Sequence, residues 1–512
     1  MLQSDRRTLA LILLLGLALR LLYVGAPYVD AHAWRQLDTA AMARNFYETS
    51  FVPFDPQVDW GGRRGYLEAE FPLVPAIIAL LYYLTGVRDV VGRAVIIAFS
   101  LGLIWAVHRL ARALDGRASV AAAAAFLVAV SPAMVFFGRI VIPDTPMVFF
   151  MTLALAGFVE FARTDSRRWL WIGTASLTLA CLVKLPAVFV GPAILAALLQ
   201  ARGVKTLRDP RVWIAGAVPL ALTAAWYWHA HVVFERTGLT MGILGVQAKT
   251  YPAIVSPGPW PAMYSKWSTG ALLSDPDFYQ RMLMRFYHFL LMPAGFLCAV
   301  LGAVIWRGWG RVTLAVWLAA SLVFFFIAGE VERVHEYYQL PFIVIGAIYF
   351  GAIAWPLFDA EHRRRWFPGA PARAAFAGLL ALVALLSFYG SSVTQSFFNP
   401  REQAVRMRDI GAALQSVTEA NDLAIVVDDY GIQSPILLYF AHLKGWSFDP
   451  TDVSPEVIGS LRRLGARYFV TTQWNEFKAA RPDTAAVLET MGPVAIPGAP
   501  RNTVLLDLRR NR

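Results

Sequence analysis

The chain has 512 residues, of which 57% are hydrophobic and only 16% charged, and its mean hydropathy is +0.51. Soluble domains carry about 25% charged residues, so one water-exposed core of this composition would leave too much apolar surface uncovered. This excludes an ordinary soluble enzyme, a disordered chain and a typical nucleic-acid-binding domain. The 46 Lys and Arg outnumber the 35 Asp and Glu, an excess that in a membrane protein records orientation rather than an anionic partner. Cys181 and Cys298 both lie in apolar runs and give neither a disulfide framework nor a metal cluster.

In chain order, apolar runs predict eleven membrane spans, near 8–25, 90–108, 119–137, 146–161, 169–183, 186–200, 213–232, 287–305, 312–328, 339–357 and 374–390. Arg6-Arg7 followed by an apolar run and Ala31-His32-Ala33 imitates a secretory signal, but Arg20 interrupts the run and an uncleaved first span fits better. Lys184-Leu185-Pro186 reads as the turn between two short spans. Basic residues concentrate in alternate loops, among them Arg109, Arg112, Arg117, Arg163, Arg167, Arg168, Arg202, Lys205, Arg363, Arg364 and Arg365. The positive-inside rule then puts the N-terminus in the cytoplasm. The expected architecture is an α-helical polytopic membrane protein of about eleven transmembrane helices, with juxtamembrane helices in a first external loop at 26–89. Residues 1–390 form the membrane domain. Residues 391–512 read as a small α/β domain outside the cytoplasm, with strands at 423–427, 467–472 and 503–508 and helices near 400–418 and 454–464.

The first external loop opens with Asp30-Ala31-His32-Ala33-Trp34-Arg35-Gln36-Leu37-Asp38 at the membrane boundary. A surface-lying helix follows, which Asp38 could cap. The loop continues to Glu68-Ala69-Glu70 and an apolar run at 73–86, short for a span and better read as juxtamembrane or re-entrant. Two further external turns carry Arg139 with Asp144, and Arg333, His335, Tyr337 and Tyr338. Ionisable groups at membrane depth are costly and usually pair or do work. A carboxylate can accept a proton from a hydroxyl, while Arg and Lys can hold a phosphate leaving group. That combination suits transfer from a lipid phosphate. Plainer readings stand beside it: helix caps for Asp30 and Asp144, snorkelling for Lys184 and Arg139, an interface role for His335. Asp428-Asp429, after the strand at 423–427, suggests a metal or sugar site or simple loop capping.

The pattern resembles the GT-C polytopic glycosyltransferases, most closely the branch of protein O-mannosyltransferases and the lipid A aminoarabinose transferase. The resemblance rests on Asp30 after the first span, on Ser131-Pro132 with Arg139 and Asp144, and on Lys184-Leu185-Pro186, and covers about residues 8–350. The chain reads Asp30-Ala31 where many members read Asp-Glu. The resemblance implies Asp30 as general base and Asp144 as a second catalytic carboxylate near the donor. It places His32, Arg35, Glu70, Arg139, Lys184, Arg333, His335, Tyr337 and Tyr338 around the donor phosphate or substrate. It further implies a bacterial inner-membrane enzyme that takes a sugar from a polyprenyl-phosphate-linked donor, with inversion, to an envelope acceptor of protein, lipid or glycan. No cofactor, metal or nucleic-acid partner is expected. The competing class is a transporter or flippase of lipid-linked sugars, which predicts ionisable residues deep in several spans and repeat symmetry.

Overall fold

The computed structural model describes residues 3–243, 267–375, 377, 378, 382 and 392–511. Four helices are long and apolar enough to cross a bilayer: Asp89–Asp115, Asp144–Thr164, Leu185–Arg208 and Glu336–Phe358. The pair Pro276–Leu290 and Pro293–Ile305, bent by 106°, makes a fifth if counted as one broken span. Leu73–Thr85, Ala118–Val130 and Arg311–Ile327 are shorter apolar helices. Among the described residues this measure gives fewer spans than the eleven expected, and most of 374–390 lies outside those residues. Exposed apolar side chains such as Leu14, Leu84, Leu297, Val304 and Trp213 need lipid rather than water beside them. The protein is an integral membrane protein.

The chain forms two compact units, each of three segments: Met1–Val24, Arg93–Trp226 and Tyr264–Phe398 in the first, and Gly25–Gly92, Tyr227–Met263 and Asn399–Arg512 in the second. These units do not follow a single cut after residue 390, because the expected first external loop shares a unit with the C-terminal segment.

In the first unit, the Ala-rich stretch Ala118–Val130 folds as a helix and stops where Pro132 disfavours helical geometry at Ser131. The run 119–137, read as one span, is therefore two helices. Ser131 Oγ accepts from Met134 N–H, capping Pro132–Phe137, and donates to the Leu290 carbonyl at 2.6 Å. Gly351 of the helix Leu340–Phe358 lies against the Val120 carbonyl, where a β-carbon would collide, so small residues allow this close helix pair. Arg20, fully buried, ends the first helix. Its guanidinium donates to Ser100 Oγ (2.6 Å) and to the carbonyls of Ala129 (2.9 Å), Gly16 (3.0 Å) and Val128 (3.2 Å). These acceptors offset the cost of burying a charge.

The second unit contains the helices Ala33–Glu48 and Leu73–Thr85 and a five-stranded sheet. The strands are β1 (Leu423–Val427), β2 (Lys444–Phe448), β3 (Tyr468–Thr471), β4 (Met491–Val494) and β5 (Val504–Asn511), in the order β2-β1-β3-β5-β4. β1 pairs in parallel with β2 and β3, while β5 runs antiparallel to β3 and β4. β1, β3 and β5 match the three strands read from sequence; β2 and β4 had no apolar run long enough to declare them. Helices Glu402–Leu414 and Pro455–Arg463 fall where periodicity predicts them. The helix Ala33–Glu48 is tied to the sheet domain by Arg44. Its guanidinium donates to the Tyr439 carbonyl at 2.9 Å, pairs with buried Asp59 at 2.6 Å and lies over the Tyr439 ring.

Candidate active site

In the first unit, a short break between helices creates a buried cation. The helix Arg167–Val183 ends at Lys184, whose backbone is extended, and Pro186 starts a 3-10 turn at Leu185–Val190. The break turns the Lys184 side chain onto Asp144, with Nζ 2.6 Å from Oδ1, and both residues are at least nine-tenths buried. Asp144 occupies the first turn of Asp144–Thr164, where the helix dipole favours a negative charge. It is not the N-cap: that position is Pro143. The Lys184 ammonium also lies over the rings of Tyr338 (3.9 Å) and Tyr337 (4.6 Å), and His335 stacks on Tyr337 with ring centres 4.9 Å apart. Carboxylate and aromatic faces together hold a desolvated ammonium.

Arg139 is fully buried nearby in sequence. Its guanidinium lies over the Phe398 ring at 4.7 Å and reaches the Tyr23 carbonyl at 3.4 Å. Arg333 is different: it pairs with Glu330 at 2.8 Å and its side chain is 39% exposed, a local pair on the helix Gly329–Val334. Glu332 on the same helix, passed over in the sequence, is fully buried. Burial pushes its carboxyl up to about 8, against the opposing pull of Gln339, Arg285 and Lys184. Arg285 in turn holds Glu336 at 2.9 Å and the Glu332 and Arg333 carbonyls.

In the second unit, Asp30 is 4% exposed, and Oδ1 accepts from the Gln36 carboxamide at 2.6 Å. Gln36 also donates to the Ala31 carbonyl, so it fixes the turn that carries Asp30. The residue before the helix Ala33–Glu48 is His32, in the left-handed region at φ 59°; Asp30 is not its cap either. Arg35 pairs with Glu70 at 3.0 Å, and Glu68 accepts from Thr240. Asp38 lies inside the helix instead of capping it. It is 1% exposed, accepts from the Trp60 indole at 2.9 Å, and is pushed up to about 7 by burial. Gln36 and Trp60 were not singled out in the sequence, since a polar side chain's hydrogen-bond partner is chosen in three dimensions. Among the described residues no group of three His, Cys, Asp or Glu is placed to hold a metal ion.

The Dolichyl-phosphate-mannose-protein mannosyltransferase family profile matches residues 69–229. ArnT from Cupriavidus metallidurans, solved bound to undecaprenyl phosphate, superposes with a TM-score of 0.65 at 13% identity, over 97% of both chains. The Archaeoglobus fulgidus oligosaccharyltransferase gives 0.55 at 14% identity, over 98% of this chain and 76% of that one. The mycobacterial arabinofuranosyltransferase AftD gives 0.54 at 14% identity, over 98% and 40%. No curated protein matches in sequence. The chain has the GT-C fold. Within this GT-C chain the mannosyltransferase profile spans Glu70, Arg139, Asp144 and Lys184. Asp30, His32, Arg35, Arg333, His335, Tyr337 and Tyr338 lie outside it. A shared fold hosts many chemistries, so the roles of these side chains are argued from their surroundings.

Proposed function

We propose that the protein is a glycosyltransferase that moves a sugar from a polyprenyl-phosphate-linked donor to an envelope acceptor, with inversion, at the outer face of a bacterial inner membrane. The observation that carries this reading is the buried Lys184 ammonium, held by Asp144 and roofed by Tyr337 and Tyr338. A fixed cation in an apolar helical unit suits a lipid-borne phosphate, whose charge grows as the sugar leaves. Arg139 would add a second positive charge to that phosphate, and His335 would hold the tyrosine ring over Lys184. A lipid phosphate is already a good leaving group, so the donor needs no strong general acid. The acceptor hydroxyl needs a base, and Asp30 takes that role: a buried carboxylate oriented by the neutral Gln36 amide. Arg35, Glu70 and His32 would shape the substrate side of the same turn.

In this reading the N-terminus is cytoplasmic and the sheet domain periplasmic. The similarity to ArnT bound to undecaprenyl phosphate supports the donor class. The test is transfer of radiolabelled sugar from a polyprenyl-phosphate donor to cell-envelope fractions by the purified, reconstituted protein. Wild type should label a fraction and release polyprenyl phosphate. Asp30→Asn should insert and fold but transfer nothing, whereas unchanged transfer by that variant would remove the base assignment.

A further inference from the structure

The turn after β1 holds a feature that sugar transfer from a lipid phosphate does not use. In register, Val427 pairs with Phe448 on β2 and with Thr471 on β3. The next residue of each strand, Asp449, Asp428 and Thr472, therefore takes the same step beyond the sheet. The chain leaves β1 for β2 on one side and returns to β3 on the other. The loops diverge at the carboxyl ends of β1 and β3, the place where open α/β sheets leave room for a ligand.

Two buried polar atoms at this step have no hydrogen-bond partner among the described residues: Asp428 Oδ2 and Thr472 Oγ1. The residues are 1% and 5% exposed. Their other groups are in use, and this holds the pair in place. Asp428 Oδ1 accepts the Tyr430 N–H at 2.8 Å, the Asp428 carbonyl accepts from the Gln473 amide at 2.9 Å, and Thr472 N–H extends the ladder to Val427. A buried carboxylate oxygen left unpaired is costly, and the Tyr430 N–H does not relieve it, since that bond uses the other oxygen. Burial holds the Asp428 carboxyl up to about 7.

The surroundings narrow the ligand. Arg406 is paired with Asp429, and Asp449 stands in the same row, so a phosphate or carboxylate would meet negative charge. Metal-type clustering is lacking among the described residues. An O–H donor for Asp428 beside a partner for the Thr472 hydroxyl is what two neighbouring hydroxyls of a sugar ring supply.

The loop is also fixed in direction. Gly431, at φ +69°, packs on the Asp449 carboxylate, where a side chain would not fit. The Gln433 carbonyl accepts the Trp34 indole N–H at 3.0 Å, and Arg401 N–H donates to the Val29 carbonyl at 2.6 Å. The loop 428–435 is thus bonded to the segment that carries Asp30.

We propose that Asp428 and Thr472 bind neighbouring hydroxyls of a neutral saccharide, making the loop 428–435 the element that recognises a carbohydrate acceptor. Only the word acceptor rests on the transfer reading; saccharide binding does not.

The experiment is saturation-transfer NMR on the full chain in nanodiscs with methyl glycosides of mannose, glucose, galactose and arabinose, and in parallel calcium chloride alone and inorganic phosphate alone. At least one glycoside should bind at millimolar concentration, and Asp428→Asn and Thr472→Val should each weaken it by about tenfold, the loss of one hydrogen bond to a charged or buried group. Thr472→Val removes an unpartnered hydroxyl and should keep the melting temperature, so it decides alone if Asp428→Asn unfolds. No glycoside signal, binding by both variants as tight as by wild type, or binding of calcium or phosphate at this site overturns the proposal. If wild type binds glycosides but transfers no sugar from any polyprenyl donor, the transfer reading fails and the saccharide site stands.

Discussion

Asp144 and Asp30 are both buried and both stand at the start of a helical segment, yet the chain treats them in opposite ways. Asp144 is clamped by an ammonium, 2.6 Å from Lys184, under two tyrosine rings. Asp30 is held by a carboxamide, 2.6 Å from Gln36. The ion pair fixes the Lys184 cation over Asp144, and the amide N–H fixes the direction of one Asp30 oxygen. Two aspartates that look alike in sequence are separated by the partner each one meets.

The largest effect should come from Asp30→Asn, which keeps the shape and the bond to Gln36 but removes the carboxylate proposed as proton acceptor. General-base loss costs about 10²–10⁴ in rate, measured as sugar transfer at matched protein levels. Next is Lys184→Met, which leaves Asp144 buried without its cation and should destabilise the protein by about 3–5 kcal/mol, read as a lowered melting temperature in detergent. The double variant with Asp144→Leu should recover most of that stability but not transfer; if it remains as unstable as the single variant, the pair is not the cause. Gln36→Leu probes the other aspartate. It should lower kcat about tenfold through lost orientation of Asp30, with KM for the donor unchanged, and a change in donor KM alone would move Gln36 out of that role.

A smaller effect belongs to Asp38, a buried carboxylate of the second unit, which burial holds up to about 7. Between the unfolded value near 3.8 and about 7 the folded state binds more protons than the unfolded one. Its contribution is therefore full at acid pH and lost as pH rises through 7. Asp38→Asn, which still accepts from Trp60, should gain stability relative to wild type at pH 8 compared with pH 5. The same difference at both values would exclude Asp38 as the source. Smallest is Arg35→Gln. The partly exposed pair with Glu70 is worth about 1 kcal/mol or less, checked by melting at low and high salt.

Much was legible in the chain because hydropathy is a local property. Long apolar runs declared the membrane helices, short ones declared β1, β3 and β5, and the basic loops predicted an orientation. Lys184-Leu185-Pro186 foretold a break, since Pro186 and the extended residue before the turn cannot continue the helix Arg167–Val183. Other features were misread for physical reasons. The run 119–137 is uniformly apolar, but Ser131-Pro132 divides it. Asp38 has the composition of a cap and is instead buried against Trp60, because an indole 22 positions away offers its N–H.

The sequence by itself determined that this is a multi-helix membrane protein with a small α/β segment, and it offered a set of candidate ionisable residues. Only the tertiary structure decided what each of them meets. It paired Lys184 with Asp144, left Arg333 in a local pair with Glu330, turned the Gln36 amide onto Asp30 and set Asp428 and Thr472 one step beyond paired strands, each with a buried oxygen unpartnered among the described residues. The reason is range: burial propensity is written into each segment. Hydrogen bonds and ion pairs act over about 3 Å between residues tens to hundreds of positions apart, and only the folded backbone brings them within reach.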